Sequence, residues 1–392
     1  MSFYEWKQYK LKDIIKFNPK ESIKKGNHAK KIPMEMLEPF NKKINGYEET
    51  EFTSGSKFRN GDTLLARITP CLENGKTAYV DILDENEVAF GSTEYIVLRE
   101  IEGITDKEFV YYLAISPGFR ELAIKSMNGS SGRQRVQKDV LEESIVKLPL
   151  LQEQRKIAKI LSELDKKIEL NNKINHNLNK QMNELFKDTF INNYVGNIKE
   201  KSLYEFAEFI NGTSFKANEY SQSGIPIVKI SELKNGITDN TQYYNGKKED
   251  KYYIKDKQIL FSWSGNPDTS IDIFVWSGGE AILNQHTFKI VTEDENSAFI
   301  YLLLKYFKPM FMEIARNKQT TGLGHVTISD LKRIMFPYDK VVIEKFNLLV
   351  SPFYNKYFNN MLENNKLNKI RDTLLPKLMN GEIDVSNISL EE

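Results

Sequence analysis

The side chains that could do acid–base, metal or nucleotide chemistry do not come together in this sequence. The four histidines are scattered, and none lies at a metal-ligand spacing from another histidine or from the single cysteine, Cys71. The carboxylate–lysine cluster Glu163-Leu-Asp-Lys166 could belong to a nuclease triad. It falls within a long helical pattern, where a solvated helix face explains it better. We therefore predict no catalytic residues and no metal site.

Nucleotide-binding motifs are also missing. No GxxxxGK[ST] phosphate loop occurs, and Gly322-Leu-Gly324 fails to complete a dinucleotide motif because Thr327 stands where a third glycine is needed. Asn266-Pro267-Asp268 is the nearest approach to the Asn-Pro-Pro-Tyr element of amino-methyltransferases, and a plain turn accounts for it.

Several polar loops instead carry side chains suited to reading DNA. Arginine forks match guanine O6 and N7, glutamine and asparagine match adenine, and serine or threonine contacts phosphate. One such loop alone is usually a solvated connector, but these loops recur at corresponding places in the two halves of the chain. The predicted DNA contacts in the first half are Arg67, Asn74, Lys76, Ser130, Ser131, Arg133, Gln134 and Arg135. Those in the second half are Trp263, Asn266, Thr320, Thr321 and His325.

The elements that must position these loops form an internal repeat. Matching segments recur in the same order at an offset of about 190 residues, far longer than a solenoid period. Asn60–Ala66 parallels Lys255–Phe261, each a polar turn followed by an apolar run, and Ser130-Ser-Gly132 parallels Thr320-Thr-Gly322. The repeat predicts two similar domains.

Each half begins with short strand-like runs, turn signals and a few helices, and ends in a long helical stretch. This pattern predicts an α/β (α+β) fold class, with two similar mixed-sheet domains separated by two long antiparallel coiled-coil helices. The predicted segments are recognition domain 1 (1–149), a central helix (150–193), recognition domain 2 (194–337), and a distal helix with the C-terminal tail (338–392).

The two long helices carry matching apolar stripes at alternating spacings of three and four residues. The stripes run from Ile157 to Leu185 and from Phe346 to Leu374, which is typical of a coiled coil. Both are interrupted by asparagine at the same two places. Because a buried asparagine needs a partner, we predict antiparallel packing with two facing pairs. These helix-pairing residues are Asn171 with Asn364 and Asn175 with Asn360.

Composition narrows the class of protein further. The 392 residues include 55 Lys and Arg against 54 Asp and Glu, so bulk charge neither indicates nor excludes a nucleic-acid partner. One cysteine cannot form an internal disulfide, and the sequence shows neither a signal peptide nor a long apolar run. We predict a soluble cytoplasmic protein that does not interact with membranes.

Two segments resemble conserved regions of the DNA-specificity subunits of Type I restriction–modification systems. Leu148–Ile157, followed by Leu161–Ile168, is similar to the central conserved region, and Lys369–Ile383 is similar to the distal one. The second repeat departs from the pattern, since Lys340–Lys345 stands where the first repeat has Leu151–Lys156. This departure argues against identical partner contacts at the two ends.

The resemblance implies a subunit that binds double-stranded DNA and does no chemistry itself. Each domain would read one half of a bipartite, asymmetric site, and the helices would set the unread gap while docking two methyltransferase subunits. Those subunits would bring S-adenosylmethionine, and two motor–nuclease subunits, where present, would bring ATP and Mg²⁺. No cofactor is therefore expected on this chain.

Two other classes of function remain open at this point. One is a tandem protein–protein adaptor on a coiled-coil scaffold without DNA binding. The other is a self-sufficient nuclease or methyltransferase whose active site the motifs do not reveal. Salt-dependent duplex binding would separate the first alternative from a DNA-binding subunit, because phosphate contacts release counterions.

Overall fold

The computed structural model describes residues 6–130, 132–192, 199–319 and 323–388. By its internal contacts the chain divides into two compact units. Unit 1 comprises Met1–Lys167 and Leu367–Glu392, and unit 2 comprises Ile168–Lys366. Each long helix contributes residues to both units.

Unit 1 contains two four-stranded sheets, in the orders β2-β9-β6-β7 and β4-β3-β8-β5, and two two-stranded pairs, β1-β12 and β10-β11. The second sheet is mixed because β3 and β8 run parallel, whereas the other pairings are antiparallel. The strands are β1 (Lys7–Lys10), β2 (Ile15–Phe17), β3 (His28–Ile32), β4 (Glu48–Glu51), β5 (Ser56–Arg59), β6 (Thr63–Ala66), β7 (Thr77–Tyr79), β8 (Val88–Gly91), β9 (Tyr95–Glu100), β10 (Met127–Asn128), β11 (Arg135–Val136) and β12 (Ile145–Leu148).

The helices of the first half cover one of these sheets and then lead into the long helix. They are α1 (Leu11–Ile14), α2 (Lys107–Ile115), α3 (Pro117–Lys125), α4 (Lys138–Glu142) and α5 (Leu151–Lys187), the last followed by a π-helical turn at Asp188–Asn192. Asp106 caps α2 by accepting hydrogen bonds from the backbone N–H groups of Glu108 and Phe109. The core of unit 1 joins β6, β9, α2 and α3 to the first turns of α5 and the last turns of α10 (Lys340–Met379).

Unit 2 repeats this sheet plan. Its four-stranded sheets have the orders β14-β22-β18-β20 and β16-β15-β21-β17, its pairs are β13-β24 and β19-β23, and the parallel neighbours are β15 and β21. The strands are β13 (Glu200–Ser202), β14 (Glu208–Asn211), β15 (Ile225–Val228), β16 (Tyr243–Tyr244), β17 (Tyr253–Ile254), β18 (Ile259–Ser262), β19 (Ser264–Gly265), β20 (Asp272–Val275), β21 (Ala281–Leu283), β22 (Thr287–Val291), β23 (Gly324–His325) and β24 (Met335–Pro337). The remaining helices are α6 (Ile230–Asn235), α7 (Ser297–Tyr306), α8 (Lys308–Asn317), α9 (Ile328–Leu331) and α10.

The repeat extends to details of the backbone. The central strands β6 and β18 each follow a turn with a residue at positive φ, Gly61 at 93° in the first half and Lys257 at 74° in the second. Only glycine adopts such φ values without strain, so the turn itself, rather than the residue type, is what the two halves share. The predicted fold class, with two mixed-sheet domains, long helices and an internal repeat, is confirmed.

The long helices are antiparallel within each unit. In unit 2, Asn171 Nδ2 donates to Asn364 Oδ1 at 2.9 Å, and Asn360 Nδ2 donates to Asn175 Oδ1 at 2.8 Å. All four side chains are buried. In unit 1, Arg371 Nη1 donates to Asp165 Oδ1 at 2.9 Å. The asparagines therefore lie in the facing pairs that the two interrupted stripes predict.

Replacing Asn360 by leucine should lower the free energy of unfolding by about 1–3 kcal/mol, because Asn175 Oδ1 loses its donor while it stays buried. Adding Asn175→Leu removes that unpaired acceptor and should recover most of the loss. Urea unfolding followed by circular dichroism measures both changes, with Asn355→Leu on an exposed position of α10 as the control. A double variant as unstable as the single one would contradict this account.

Candidate nucleic-acid interface

In the first half, backbone hydrogen bonds bring two of the predicted loops together. Arg67 follows β6, and its N–H donates to the carbonyl of Glu94 at 2.9 Å. The carbonyl of Arg67 accepts from Val136 N–H at 2.8 Å, and Thr69 N–H donates to the Gln134 carbonyl at 3.0 Å. We call this meeting of three segments the first junction. It fixes the backbone from which the loop side chains project.

The second half has the same arrangement, the second junction. Trp263 follows β18, its N–H donates to the His286 carbonyl at 3.4 Å, and its carbonyl accepts from Val326 N–H at 2.8 Å. His325 pairs with Ser264 across β19 and β23, as Arg135 bridges Ile68 in the first half. The junctions are therefore equivalent position by position. The equivalent pairs are Arg67 with Trp263, Glu94 with His286, and Arg135 with His325.

An ion pair dominates the side chains of the first junction. Arg135 Nε donates to both carboxylate oxygens of Glu94, at 2.9 and 3.0 Å, and Nη2 donates to Oε1 at 2.6 Å. The hydrogen bonds that Arg135 donates to Glu94, together with the negative charge of that carboxylate, raise the pKa of Arg135 above its ordinary value. Because the pair is bidentate, it fixes the orientation of the guanidinium as well as its charge.

The other predicted contacts of the first half are placed differently from one another. Arg133, Ser130 and Asn74 are exposed, and Gln134 is half-buried in the turn that joins β10 to β11. The side chains of Lys76 and Arg67 bond to backbone instead. Lys76 Nζ donates to the Met34 carbonyl at 2.9 Å, and Arg67 Nη2 donates to the Val136 carbonyl at 3.3 Å.

In the second half, two predicted contacts have roles within the fold. Trp263 stacks on Phe288 with ring centroids 5.5 Å apart, and its Nε1 donates to Asn211 Oδ1 at 3.0 Å. Asn266 Oδ1 accepts from the backbone N–H groups of Asp268 and Thr269 at 3.0 and 3.1 Å, which closes a turn. His325 is exposed. Ser131, Thr320 and Thr321 lie outside the described residues.

The junctions include two residues that the sequence analysis did not select, Glu94 and His286. Both immediately precede the strand that pairs with the central strand, in Glu94-Tyr-Ile-Val-Leu98 and His286-Thr-Phe-Lys-Ile-Val291. Alignment of these two strands would have placed Glu94 opposite His286. The contact between Glu94 and Arg135, which are 41 residues apart, has no signal in a single sequence.

A cavity of about 410 Å³ lies beside the second junction. It combines two aromatic rings, one amine, amide groups and an imidazole, which are groups that stack on nucleobases or hydrogen-bond to them. Lys229 Nζ lies 4.7 Å from the centroid of the Tyr220 ring on one wall. The lining residues are Phe215, Tyr220, Lys229, Ile230, Ser231, Asn284, Gln285 and His286.

The part of the chain that the structure describes contains neither a group of metal-binding side chains nor a membrane-spanning helix. There, no three His, Cys, Asp or Glu side chains are grouped so that they could hold a metal ion. None of the helices described is both long enough and apolar enough to span a membrane.

Residues 4–180 and 196–339 match the family model described as Type I restriction modification DNA specificity domain. The two matched ranges correspond to the two halves of the internal repeat and include both junctions. The chain therefore belongs to this family, and the family resemblance is confirmed. The distal segment Lys369–Ile383 lies outside the matched ranges, and its resemblance stays a prediction.

Individual relatives agree with this assignment. The MjaIX specificity subunit of Methanocaldococcus jannaschii is 30% identical over 317 residues, which are 72% of this chain and 70% of that one. The HindI specificity subunit of Haemophilus influenzae is 30% identical over 197 residues, 47% of this chain and 41% of that one. The crystal structure of a Type I system S subunit from M. genitalium shares the fold with a TM-score of 0.57, at 18% identity and over 98% of this chain and 97% of that one.

Proposed function

We propose that this chain recognises the DNA sequence for a Type I restriction–modification complex, with each domain reading one half of a bipartite, asymmetric site. The observation that carries the proposal is the pair of junctions. They share one set of backbone hydrogen bonds, yet equivalent positions hold Arg67, Glu94 and Arg135 in one domain and aromatic or imidazole side chains in the other. Two domains that share a backbone arrangement but present different side chains suit a DNA site whose two halves differ in sequence.

The long helices would set the length of the unread gap and dock two methyltransferase subunits. The chain itself would be a non-catalytic subunit of a cytoplasmic complex. Methyl transfer from S-adenosylmethionine would take place on the methyltransferase subunits, and ATP-driven, Mg²⁺-dependent work on two motor–nuclease subunits where the system has them. Membership of a family of specificity domains supports this division of labour.

The test is to reconstitute the chain with its methyltransferase subunits and sequence the methylated DNA. We expect methylation at one two-part motif with a fixed spacer. Exchanging residues 1–148 for the equivalent domain of a relative should then change one half of the motif and leave the other half intact. Methylation without any sequence preference, or a motif in which both halves change, would contradict the proposal.

Salt dependence separates this function from a protein–protein adaptor. A complex that neutralises six or more phosphates should lose about 1,000-fold in duplex affinity between 50 and 200 mM salt. Titration of a fluorescent duplex with the reconstituted complex measures the slope. An adaptor predicts no saturable duplex binding at either salt concentration.

A further inference from the structure

The ion pair at the first junction leaves one edge of a guanidinium unused. Arginine carries five N–H donors in a rigid plane. At Arg135 the Nε hydrogen and one Nη2 hydrogen point to Glu94, at 2.6–3.0 Å between heavy atoms. Nη1 and the second Nη2 hydrogen bond to no other described residue. The free donors form the end of the fork that points away from the carboxylate.

The side chain of Arg135 is more exposed to solvent than that of Glu94, which holds it. The side chain of Arg135 is 43% exposed, whereas that of Glu94 is 24% exposed. The backbone is held in place at both residues. Arg135 lies opposite Asn128 in the β10–β11 hairpin, and the Glu94 carbonyl accepts a hydrogen bond from Arg67 N–H. Glu94 N–H in turn donates to Ser92 Oγ at 3.1 Å. The fork is therefore held in one orientation before any ligand arrives, which lowers the entropy lost on binding.

Two parallel N–H groups at the end of a guanidinium match a pair of acceptors on one ligand edge. In the major groove, guanine offers this pair as O6 and N7. Adenine offers one acceptor beside a donor, cytosine offers a donor, and thymine offers one acceptor beside a methyl group. A fork locked by a carboxylate therefore discriminates for guanine against the other three bases.

We infer that Arg135 reads a guanine in the half-site of the first domain and that Glu94 is the positioning residue that aims it. This assignment rests on the proposed function and adds a base and two residues to it. At the second junction, His325 and His286 occupy the equivalent positions. An imidazole has no fork, so the second domain does not read its half-site in this way and serves as an internal comparison.

The test begins with the two-part motif methylated by the reconstituted wild-type complex. Arg135→Ala should relax one guanine position in one half of the motif and leave the other half unchanged. Duplexes carrying 7-deazaguanine at that position lack the N7 acceptor, and the wild-type complex should bind them about 10-fold more weakly than guanine duplexes. The Arg135→Ala complex should distinguish the two duplexes by less than threefold.

Glu94→Gln keeps the shape of the side chain but removes the charge that holds the fork. We expect this variant to lose most of the preference for guanine over 7-deazaguanine while it keeps full recognition of the second half-site. A merely structural role would weaken binding to both duplexes equally. Glu121→Gln is the matched control, since Glu121 makes an exposed ion pair with Lys125 on α3 of the same domain. Arg135→Lys keeps a charge without a fork, so it tests the reading residue in the same comparison and should lose the same preference, whether or not Glu94→Gln folds.

The outcomes separate this assignment from the proposed function. A two-part motif without guanine in the half read by the first domain overturns the assignment alone, as does a wild-type complex indifferent to 7-deazaguanine. Equal loss of binding to both duplexes in Glu94→Gln overturns the positioning role. Failure of the wild-type complex to select any two-part motif overturns the proposed function itself.

Discussion

Replacing Arg371 by alanine should lower the free energy of unfolding by about 3–5 kcal/mol. Arg371 lies on α10 and pairs with Asp165 on α5, with side chains 12% and 11% exposed. Asp165 also accepts from the hydroxyl of Tyr112 on α2, at 2.6 Å. Without Arg371, the carboxylate would stay largely buried with that single hydroxyl to compensate its charge. Loss of one partner of a buried ion pair is among the most destabilising single changes known.

Urea unfolding of the full chain, followed by circular dichroism, measures this loss. The control is Lys166→Ala on α5, the helix that carries Asp165. The ion pair between Lys166 and Glu163 is exposed and should contribute less than about 0.5 kcal/mol to stability. Replacing Asp165 and Arg371 together by leucine removes both charges and should restore stability to near that of the wild type. A loss below about 1 kcal/mol in Arg371→Ala would show that water reaches the carboxylate.

Phe186→Ala in unit 2 should also lower the free energy of unfolding by about 3–5 kcal/mol. Phe186 is 1% exposed, and its ring lies at the centre of an aromatic cluster. The ring centroids lie 5.1 to 6.0 Å from those of its neighbours, which are Phe190, Phe299, Tyr306, Phe336 and Phe346. Truncation leaves a cavity that rigid aromatic rings cannot fill by small shifts.

The measurement combines urea unfolding with hydrogen exchange, which assigns the loss to peptides of Ile168–Lys366. Leu348→Ala is the control, because Leu348 is 80% exposed on α10 and its truncation should cost less than about 0.5 kcal/mol. Faster exchange confined to unit 1 in Phe186→Ala would contradict the role of this cluster. A loss as small as that of Leu348→Ala would do the same.

Periodic features of the fold could be predicted from sequence alone. Thr63–Ala66 is a short apolar run, which is typical of a strand buried on both faces, and all four of its residues are buried. The apolar stripes of the long helices repeat at spacings of three and four residues, which a helix converts into one buried face. Asparagines at equal places in both stripes predicted their partners, because a buried amide needs another polar group. Even Pro352 leaves α10 unbroken. The carbonyl that loses its donor belongs to Leu348, on the exposed side of the helix, where water can replace the missing hydrogen bond.

The candidate site could be predicted only in part, because its contacts join distant residues. Polar loops at Arg67 and at Ser130–Arg135 were selected from their side chains, yet nothing in the local sequence shows that backbone hydrogen bonds connect the two segments. Trp263 looked suited to DNA, but the strand across from it supplies Phe288 as a stacking partner. Lys76 Nζ donates a hydrogen bond to the backbone carbonyl of Met34, which lies 42 residues away in the sequence. Whether such a side chain faces solvent depends on the tertiary fold and not on residue type.

The shared backbone of the two junctions has a consequence for how such a protein changes over generations. The hydrogen bonds that hold each junction join main-chain atoms, and the side chains of Glu94 and Arg135 reach outward and are partly exposed. Substitutions at such positions usually cost little stability. The fraction of unfolded protein that proteases and chaperones act on would therefore stay close to that of the parent protein. On the proposed assignment of Arg135 and Glu94, substitutions at these two positions would change the DNA preference while the abundance of the protein is kept.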